Sequence, residues 1–238
     1  MIVSASPVSA PSQVSGGGFV KRAFHSQLIY THHPLLVTPM RLHSRFVTSA
    51  VAPAHFPPPG LPEIAFLGRS NVGKSSLINS LVGEKIAKTS STPGRTQMIN
   101  FFEIQWHGKT TPEMQFADLP GYGYARVPKA IKSEWSKFID PYLKERPTLA
   151  LCVVLVDMNV PPQEKDAQLI DFLNSAGRAY IIAATKSDKL SGNKRLNALK
   201  TLKQAYPEGK IFPYSSKTGA GRDELWKELR QAAASHCS

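Results

Sequence analysis

One eight-residue stretch constrains the fold of this chain more than any other feature of its sequence. It lies between a short apolar run, residues 64–67, and a helical pattern, residues 75–82, and it has the spacing G-x-x-x-x-G-K-[ST]. Its residues are Gly68, Arg69, Ser70, Asn71, Val72, Gly73, Lys74 and Ser75. The glycines let main-chain N–H groups point inward, and the positive end of the helix dipole reinforces them. The stretch therefore predicts a phosphate-binding loop, with Lys74 on the β- and γ-phosphates and Ser75 on Mg²⁺.

Strand-like and helix-like segments alternate from Glu63 onward. Strands are predicted at residues 64–67, 98–106, 114–118, 149–157, 180–185 and 210–213. Helices are predicted at residues 75–82, 131–145, 163–176, 196–206 and 223–234, with Pro141 expected to kink or split the second. This order indicates βαβ units and one three-layer α/β domain, with a mostly parallel sheet between two layers of helices. The alternating pattern of residues 98–106 also fits an edge strand.

A second motif, Thr185-Lys186-Ser187-Asp188, follows the predicted strand 180–185. A carboxylate at Asp188 can accept hydrogen bonds from N1–H and the N2 amino group of guanine, whereas adenine would leave it unpaired. The aliphatic part of Lys186 is expected to lie along the base. Kinases and ATPases share the phosphate loop, but a nucleoside kinase would give this motif no role. Together the two motifs predict a protein that binds guanine nucleotides and hydrolyses GTP.

Two shorter motifs extend the predicted site. Asp118-Leu119-Pro120-Gly121 ends a strand, so that Asp118 would hold Mg²⁺ through water and the Gly121 N–H would contact the γ-phosphate. Ser215-Ser216-Lys217 follows the last predicted strand, and a main-chain N–H near Ser216 would bind guanine O6. The tripeptide is weak evidence by itself and gains its meaning from its position.

The loop after the first helix contains two threonines that could complete the Mg²⁺ shell. Thr96 is preferred over Thr92 for this role. Its hydroxyl would reach the metal only when a γ-phosphate is present, so the loop is predicted to act as a switch. The predicted metal ligands are therefore Ser75, Thr96 and Asp118.

These motifs together resemble the EngB family of bacterial-type GTPases, also called YihA or YsxC. The resemblance rests on GRSNVGKSSLIN, TSSTPGRTQMINFFE, DLPGYGYARV, TKSDKL and SSKTGAG, and it extends from about Arg45 to Ala234. It implies the Ras-like fold of TRAFAC-class GTPases, with a six-stranded, mostly parallel sheet and helices on both faces. It also implies a role in large ribosomal subunit assembly, and a role in cell division and normal septation.

The resemblance implies a full set of nucleotide contacts. They are Gly68, Arg69, Ser70, Asn71, Val72, Gly73, Lys74, Ser75, Gly94, Arg95, Thr96, Gln97, Met98, Asp118, Leu119, Pro120, Gly121, Thr185, Lys186, Ser187, Asp188, Ser215, Ser216 and Lys217. The residues expected to act in catalysis are Asn71, Lys74, Thr96 and Gly121.

The sequence departs from the wider GTPase pattern at two positions. Tyr122 stands where Ras-like GTPases carry the glutamine that orients the attacking water, so we expect slow intrinsic hydrolysis. Related GTPases with Asn at the position of Asn71 bind K⁺ beside the phosphates, which suggests K⁺-assisted, partner-stimulated turnover. Thr185 replaces the usual Asn and offers fewer hydrogen-bonding groups. Arg69 and Arg95 are interpreted as facing solvent or RNA rather than as electrostatic helpers.

The excess of basic residues favours one class of binding partner. The chain has 238 residues and a formal net charge of +12, which favours a polyanion such as nucleic acid. With the resemblance, the expected partners are GTP or GDP and the large ribosomal subunit with its rRNA, without DNA or membrane insertion, for a monomeric protein. A basic helix with Lys194, Arg195, Lys200 and Lys203 is interpreted as a solvated face rather than an RNA contact. A GTP-gated docking protein, whose hydrolysis is incidental, remains the alternative.

Residues 1–40 are interpreted as a disordered extension of a G domain at residues 41–238. No acidic residue precedes Glu63, and Ser, Pro and Gly are frequent. An over-long gene start, with Met40 as the initiator, and an organelle transit peptide are the alternatives. The expected location is therefore cytoplasmic, or mitochondrial if residues 1–40 are a transit peptide. Cys152 and Cys237 have no disulfide or metal spacing.

Overall fold

A seven-stranded sheet lies at the centre of the residues that the computed structural model describes, which are 42–87, 98–122 and 138–236. The strands are β1 Leu42–Ala50, β2 Glu63–Gly68, β3 Ile99–Trp106, β4 Met114–Asp118, β5 Leu149–Asp157, β6 Tyr180–Thr185 and β7 Ile211–Pro213. Their order is β1-β3-β4-β2-β5-β6-β7. The pairs β1–β3 and β3–β4 are antiparallel, and the other pairs are parallel. These residues all belong to one compact unit, Pro39–Ser238.

The central strands are apolar on both faces because helices cover both sides of the sheet. Every residue of β2 and β4 is buried, and β5 and β6 are buried except at their ends. The helices are α1 Lys74–Val82, α2 at residues 138–145, α3 Glu164–Ser175, α4 Gly192–Ala205 and α5 Arg222–His236. The arrangement confirms the predicted three-layer α/β fold with a mostly parallel sheet.

Each face of the sheet has its own hydrophobic core. On one side α1 and α5 pack against the sheet, and Trp226 contacts Phe116 with ring centroids 5.6 Å apart. On the other side α2, α3 and α4 contribute Tyr142, Leu173 and Leu202. Phe101 and Phe102 alternate between the two cores, so both rings serve packing of the sheet.

The prediction of six strands is wrong by one, since β1 is the additional strand. It pairs antiparallel with β3 from Leu42↔Trp106 to Ala50↔Ile99, with an irregularity between Phe46 and Thr48. The strand β3 is consequently an interior strand and not the edge that its alternation suggested. Five of the nine residues of β1 are polar and only its two end residues are buried, because an edge strand buries little. Periodicity therefore gave no signal for it.

The observed helices differ from the predicted ones by one or two residues at several ends, and by more at the start of α4. The helix α4 begins at Gly192 and not at residue 196. Residues 138–145 are continuously helical, so Pro141 does not split α2. The predictions made for residues 1–40, for the loop at 88–97 and for residues 131–137 lie outside the described part of the chain. Within that part, no helix is both long enough and apolar enough to cross a membrane.

Candidate nucleotide-binding site

The predicted phosphate loop joins the end of β2 to the start of α1. Gly73 caps α1 in a left-handed conformation, with φ 105°, and its carbonyl accepts a 2.8 Å hydrogen bond from the Leu77 N–H. This conformation favours glycine because it has no β-carbon. Lys74 and Ser75 occupy the first turn of α1, where N–H groups have no partner within the helix. The N–H groups and the helix dipole at this end suit an anion.

Two glycines let other segments approach this loop closely. A β-carbon on Gly68 would come within 2.7 Å of Val72 Cγ1, and one on Gly121 within 2.8 Å of Ser70 Oγ. The residue after Gly121, Tyr122, forms a parallel bridge with the loop: the Ser70 N–H donates to the Tyr122 carbonyl at 3.2 Å, and the Tyr122 N–H donates to the Gly68 carbonyl at 3.3 Å. The predicted γ-phosphate contact at Gly121 thus lies directly against the phosphate loop.

The oxygen ligands predicted for Mg²⁺ are partly brought together. The Lys74 ammonium forms an ion pair with Asp118 Oδ1, and both side chains are nearly buried. Ser75 follows Lys74 at the start of α1. A hydroxyl and a carboxylate are ligands that Mg²⁺ prefers, so the residues fit this metal. Leu119 and Pro120, which continue the chain from Asp118, are buried.

The base-recognition motif is tied to the phosphate loop by two hydrogen bonds. Thr185 ends β6, and its buried hydroxyl lies 2.6 Å from the Val72 carbonyl, to which it can donate. Lys186 follows in a left-handed conformation, with φ 58°. Its ammonium donates to the Asn71 carbonyl at 2.8 Å and pairs with Asp157 at 2.7 Å. These contacts place the aliphatic part of Lys186 between the two predicted motifs.

Asp188 is exposed to solvent and held by one neighbour. The Ser215 hydroxyl, which is buried, donates to Asp188 Oδ1 at 2.7 Å. This hydrogen bond lowers the pKa of Asp188 below its ordinary value, so the carboxylate is charged at neutral pH and can accept hydrogen bonds. Ser187 is buried, and its N–H donates to the Tyr214 carbonyl at 3.1 Å. Next to Ser215, the predicted contacts Ser216 and Lys217 are partly and fully exposed.

Sequence reasoning missed Asp157 and Asn159 beside this motif. Asp157 ends β5, accepts hydrogen bonds from the Asn159 N–H at 2.9 Å and side-chain amide at 3.0 Å, and pairs with Lys186. The Asn159 amide also donates to the Lys186 carbonyl at 3.1 Å. The position of Asp157 at the carboxyl end of a buried strand was the one available signal, since ligands of open α/β sheets bind there.

Arg69 does not simply face solvent or RNA, so that interpretation is wrong. Its Nε lies 3.2 Å from both carboxylate oxygens of Asp166, a buried residue in the first turn of α3. The hydroxyl of Tyr122 donates to the same carboxylate at 2.9 Å. Nothing in the local sequence marked Asp166, because its partners lie 97 and 44 residues away.

Some predicted contacts lie outside the described residues. They are Gly94, Arg95, Thr96 and Gln97, together with the alternative Thr92. Met98 borders this loop and is described; it is exposed. The phosphate loop, the switch segment (residues 118–122) and the base motif meet where the carboxyl ends of β2, β4 and β6 lie together.

Comparison with known proteins identifies the family. A family model described as "50S ribosome-binding GTPase" matches residues 63–186. The probable GTP-binding protein EngB of Koribacter versatilis (strain Ellin345) is 59% identical over 194 residues, covering 82% of this chain and 96% of that protein. The one from Acidobacterium capsulatum is 57% identical over 200 residues, covering 82% and 93%. A crystal structure of a probable GTP-binding protein EngB aligns with a TM-score of 0.57 at 25% identity, covering 73% and 99%. The chain therefore belongs to the EngB family of P-loop GTPases, which bind and hydrolyse GTP.

Proposed function

We propose that this GTPase acts as a switch in assembly of the large ribosomal subunit, a process that is coupled to cell division and normal septation. The proposal is supported by the match to a family described as 50S ribosome-binding. The observation that carries it is the pair of hydrogen bonds from Thr185 and Lys186 to the phosphate loop, which supports base recognition and phosphate binding in one site. Such a site lets the nucleotide state of the protein decide whether it stays on its partner.

Each residue of the site has a role in this mechanism. Lys74 and the N–H groups of the first turn of α1 would bind the phosphates. Ser75 and Asp118, the latter through water, would hold Mg²⁺, which neutralises phosphate charge when it is bound. The Lys74–Asp118 ion pair holds the two side chains together beside the phosphate loop. The Gly121 N–H would contact the γ-phosphate, so that hydrolysis removes its ligand, and Thr96 would report the same event from the other switch.

We propose slow intrinsic turnover that a cation and the ribosomal partner stimulate. The Tyr122 hydroxyl is already bound to Asp166 and supplies no side-chain amide to orient water. Asn71 is the candidate K⁺ ligand, and its φ of 64° makes Asn71→Gly a mild substitution for the main chain. Single-turnover GTPase rates in K⁺ and Na⁺ buffers, with and without large subunits, test the idea. Equal rates in all four conditions would refute it, and Asn71→Gly should remove the K⁺ response.

The sequence favoured a solvated face for α4, but in this proposal its basic surface is the one that contacts RNA. Residues 189–207 contain five basic residues and no acidic residue. The helix buries only Leu202, and Leu196 is 65% exposed. Lys200 and Lys203 are exposed and form no ion pair with another described residue. Uncompensated positive charge on an exposed helix matches the phosphate backbone of rRNA, since phosphate contacts dominate the affinity of proteins for nucleic acid.

Co-sedimentation with the large ribosomal subunit in a sucrose gradient tests the partner. We expect the wild-type protein to co-sediment more strongly with a GTP analogue than with GDP. The double variant Lys200→Glu/Lys203→Glu should reduce binding at least tenfold and weaken its salt dependence. Lys109→Glu is the control, because Lys109 is an exposed lysine that already pairs with Glu113 at 3.5 Å. Equal binding in both nucleotide states would contradict the switch, and full binding by the double variant would contradict this surface.

A second function, GTP-gated docking with incidental hydrolysis, is favoured by Tyr122 in place of glutamine. The two functions differ in one measurement, since a docking protein would release its partner on nucleotide exchange without accelerated hydrolysis. A single-turnover rate that large subunits do not change would favour docking. For either function we propose a monomer in the cytoplasm that neither binds DNA nor inserts into a membrane.

A further inference from the structure

Asp166 joins three elements at the predicted phosphate loop. It lies in the first turn of α3 and is 1% exposed. The Tyr122 hydroxyl donates to its Oδ1 at 2.9 Å, and Arg69 Nε lies 3.2 Å from each of its oxygens. Arg69 belongs to the phosphate loop, and Tyr122 follows Gly121 in the switch segment. One carboxylate therefore connects the loop and the switch segment to α3, which lies on the other face of the sheet from α1.

The chemistry of this cluster makes it a firm connection. Burial raises the pKa of Asp166, while the hydrogen bonds from Tyr122 and the charge of Arg69 oppose that change. Burial also raises the pKa of the Tyr122 phenol far above its ordinary value, and the nearby carboxylate adds to the effect. The phenol therefore stays protonated and donates its hydrogen bond at neutral pH. Removing either donor would leave a buried carboxylate with one partner fewer, which is costly.

The main chain next to Tyr122 is the part of the site that the Asp166 cluster positions. Tyr122 is bridged to the phosphate loop through the Ser70 N–H and the Gly68 carbonyl. These two hydrogen bonds are 3.2 and 3.3 Å long, and the hydrogen bond from the Tyr122 hydroxyl to Asp166 holds the same residue through its side chain. Gly121 is consequently fixed against Ser70, with no room for a β-carbon.

We propose that Asp166 is a positioning residue for the γ-phosphate response: through Tyr122 and Arg69 it holds the Gly121 main chain against the phosphate loop before GTP binds. The inference rests on the proposed function, in which the Gly121 N–H contacts the γ-phosphate. An ordered Gly121 loses little conformational freedom when GTP arrives, whereas a loose one must be ordered by the ligand. GDP gains nothing from this order because it has no γ-phosphate.

A second cluster of the same chemistry lies at the other end of β2 and serves as the control. The Tyr142 hydroxyl donates to buried Glu63 at 2.9 Å, and Arg146 Nε donates to the same carboxylate at 2.9 Å. Thr148 donates to it as well, at 2.8 Å. No predicted nucleotide contact takes part in this cluster. Tyr142→Phe therefore removes a phenol–carboxylate hydrogen bond of equal length without touching the switch segment.

Fluorescence titration of the full chain with labelled GDP and a labelled non-hydrolysable GTP analogue tests the proposal. We expect Tyr122→Phe to weaken the binding of the GTP analogue about tenfold and to leave GDP binding within twofold. Asp166→Asn should shift the ratio in the same direction. Tyr142→Phe should lower the unfolding temperature by an amount similar to Tyr122→Phe, with no change in the ratio of the two affinities.

The outcomes separate the inference from the function on which it rests. An unchanged or higher preference for the GTP analogue in Tyr122→Phe overturns the positioning role, and so does an equal loss in Tyr142→Phe. Gly121→Ala crowds Ser70 directly and should lower the preference for the GTP analogue whatever Asp166 does. If Gly121→Ala keeps the preference, the proposed γ-phosphate contact itself fails, and the inference fails with it. If Gly121→Ala loses the preference and Tyr122→Phe keeps it, the γ-phosphate contact of Gly121 stands and only the positioning role of Asp166 is refuted.

Discussion

Replacing Asp188 by alanine should remove the preference for guanine over adenine nucleotides and leave phosphate binding in place. The carboxylate is exposed and charged, and its nearest described partner is the Ser215 hydroxyl at 2.7 Å. The phosphate loop follows a different strand, β2, and among the described residues no side-chain hydrogen bond joins it to Asp188. The substitution therefore changes one end of the site alone.

The size of the effect follows from the hydrogen bonds that guanine would make. Two bonds to a charged acceptor contribute about 1.5–3 kcal/mol each, or about 3–6 kcal/mol together. Asp188 is exposed and Ser215 already occupies Oδ1, so solvent and Ser215 compete with the base and the lower end applies. A loss of about 3 kcal/mol corresponds to a decrease in GDP affinity of roughly 150-fold. ADP affinity should change less than threefold, because adenine makes no such bonds.

Isothermal titration with GDP and ADP measures both numbers directly. The matched control is Asp171→Ala, which removes an exposed carboxylate from α3, a helix that carries no part of the base motif. Thermal unfolding of all variants shows whether they fold. A variant Asp188→Ala that still binds GDP more than tenfold more tightly than ADP would refute base recognition by this residue, and so would an equal loss in Asp171→Ala.

Three further results are expected. Thr185→Val should lower the free energy of unfolding by about 1–3 kcal/mol in urea, because the buried Val72 carbonyl loses the hydroxyl that lies 2.6 Å away. Trp226→Ala should lower it by about 3–5 kcal/mol, since the ring is 1% exposed and a cavity would form. Burial opposes ionisation of Asp157, but hydrogen bonds from Lys186 and Asn159 leave its pKa below the ordinary value. A lowered pKa adds stability above the unfolded-state pKa of about 3.9 and loses it as pH falls through the native value. Asp157→Asn should therefore destabilise the protein more at pH 6 than at pH 3, and equal losses would contradict this.

The sequence predicted the parts of the fold that are buried on two sides. Residues 180–185 and 149–157 are uninterrupted apolar runs, and the structure has strands at the same positions. These strands can be predicted from the sequence because a strand covered by helices excludes polar residues from both faces. The strand β1 cannot be predicted in this way because it lies at the edge of the sheet. Its polar residues contact water or pair with residues of β3, as Arg45 does with Glu103 at 2.7 Å. Its place depends on a partner strand far along the chain.

The residues of the candidate site also differ in whether the local sequence predicts them. The phosphate loop and the base motif are local, since each is a short stretch whose spacing follows from the shape of its ligand. Asp166 and Asp157 are not local. Each is an isolated acidic residue that acquires its role only when folding brings Arg69 and Tyr122, or Lys186, within hydrogen-bonding distance. Single acidic residues at the start of a helix or the end of a strand are too common for sequence alone to select these two.

The replacement of asparagine by Thr185 illustrates how the folded site compensates for a weaker local residue. An asparagine brings two N–H groups, whereas the Thr185 hydroxyl has one hydrogen to share between the carbonyls of Val72 at 2.6 Å and Val156 at 3.1 Å. The second connection to the phosphate loop comes instead from Lys186, whose ammonium reaches the Asn71 carbonyl and is steadied by Asp157. Because the loop is held at two adjacent carbonyls, the threonine alone need not loosen it. The weaker hold on the phosphate loop that is expected from Thr185 should therefore become measurable only when the Lys186–Asp157 pair is also broken.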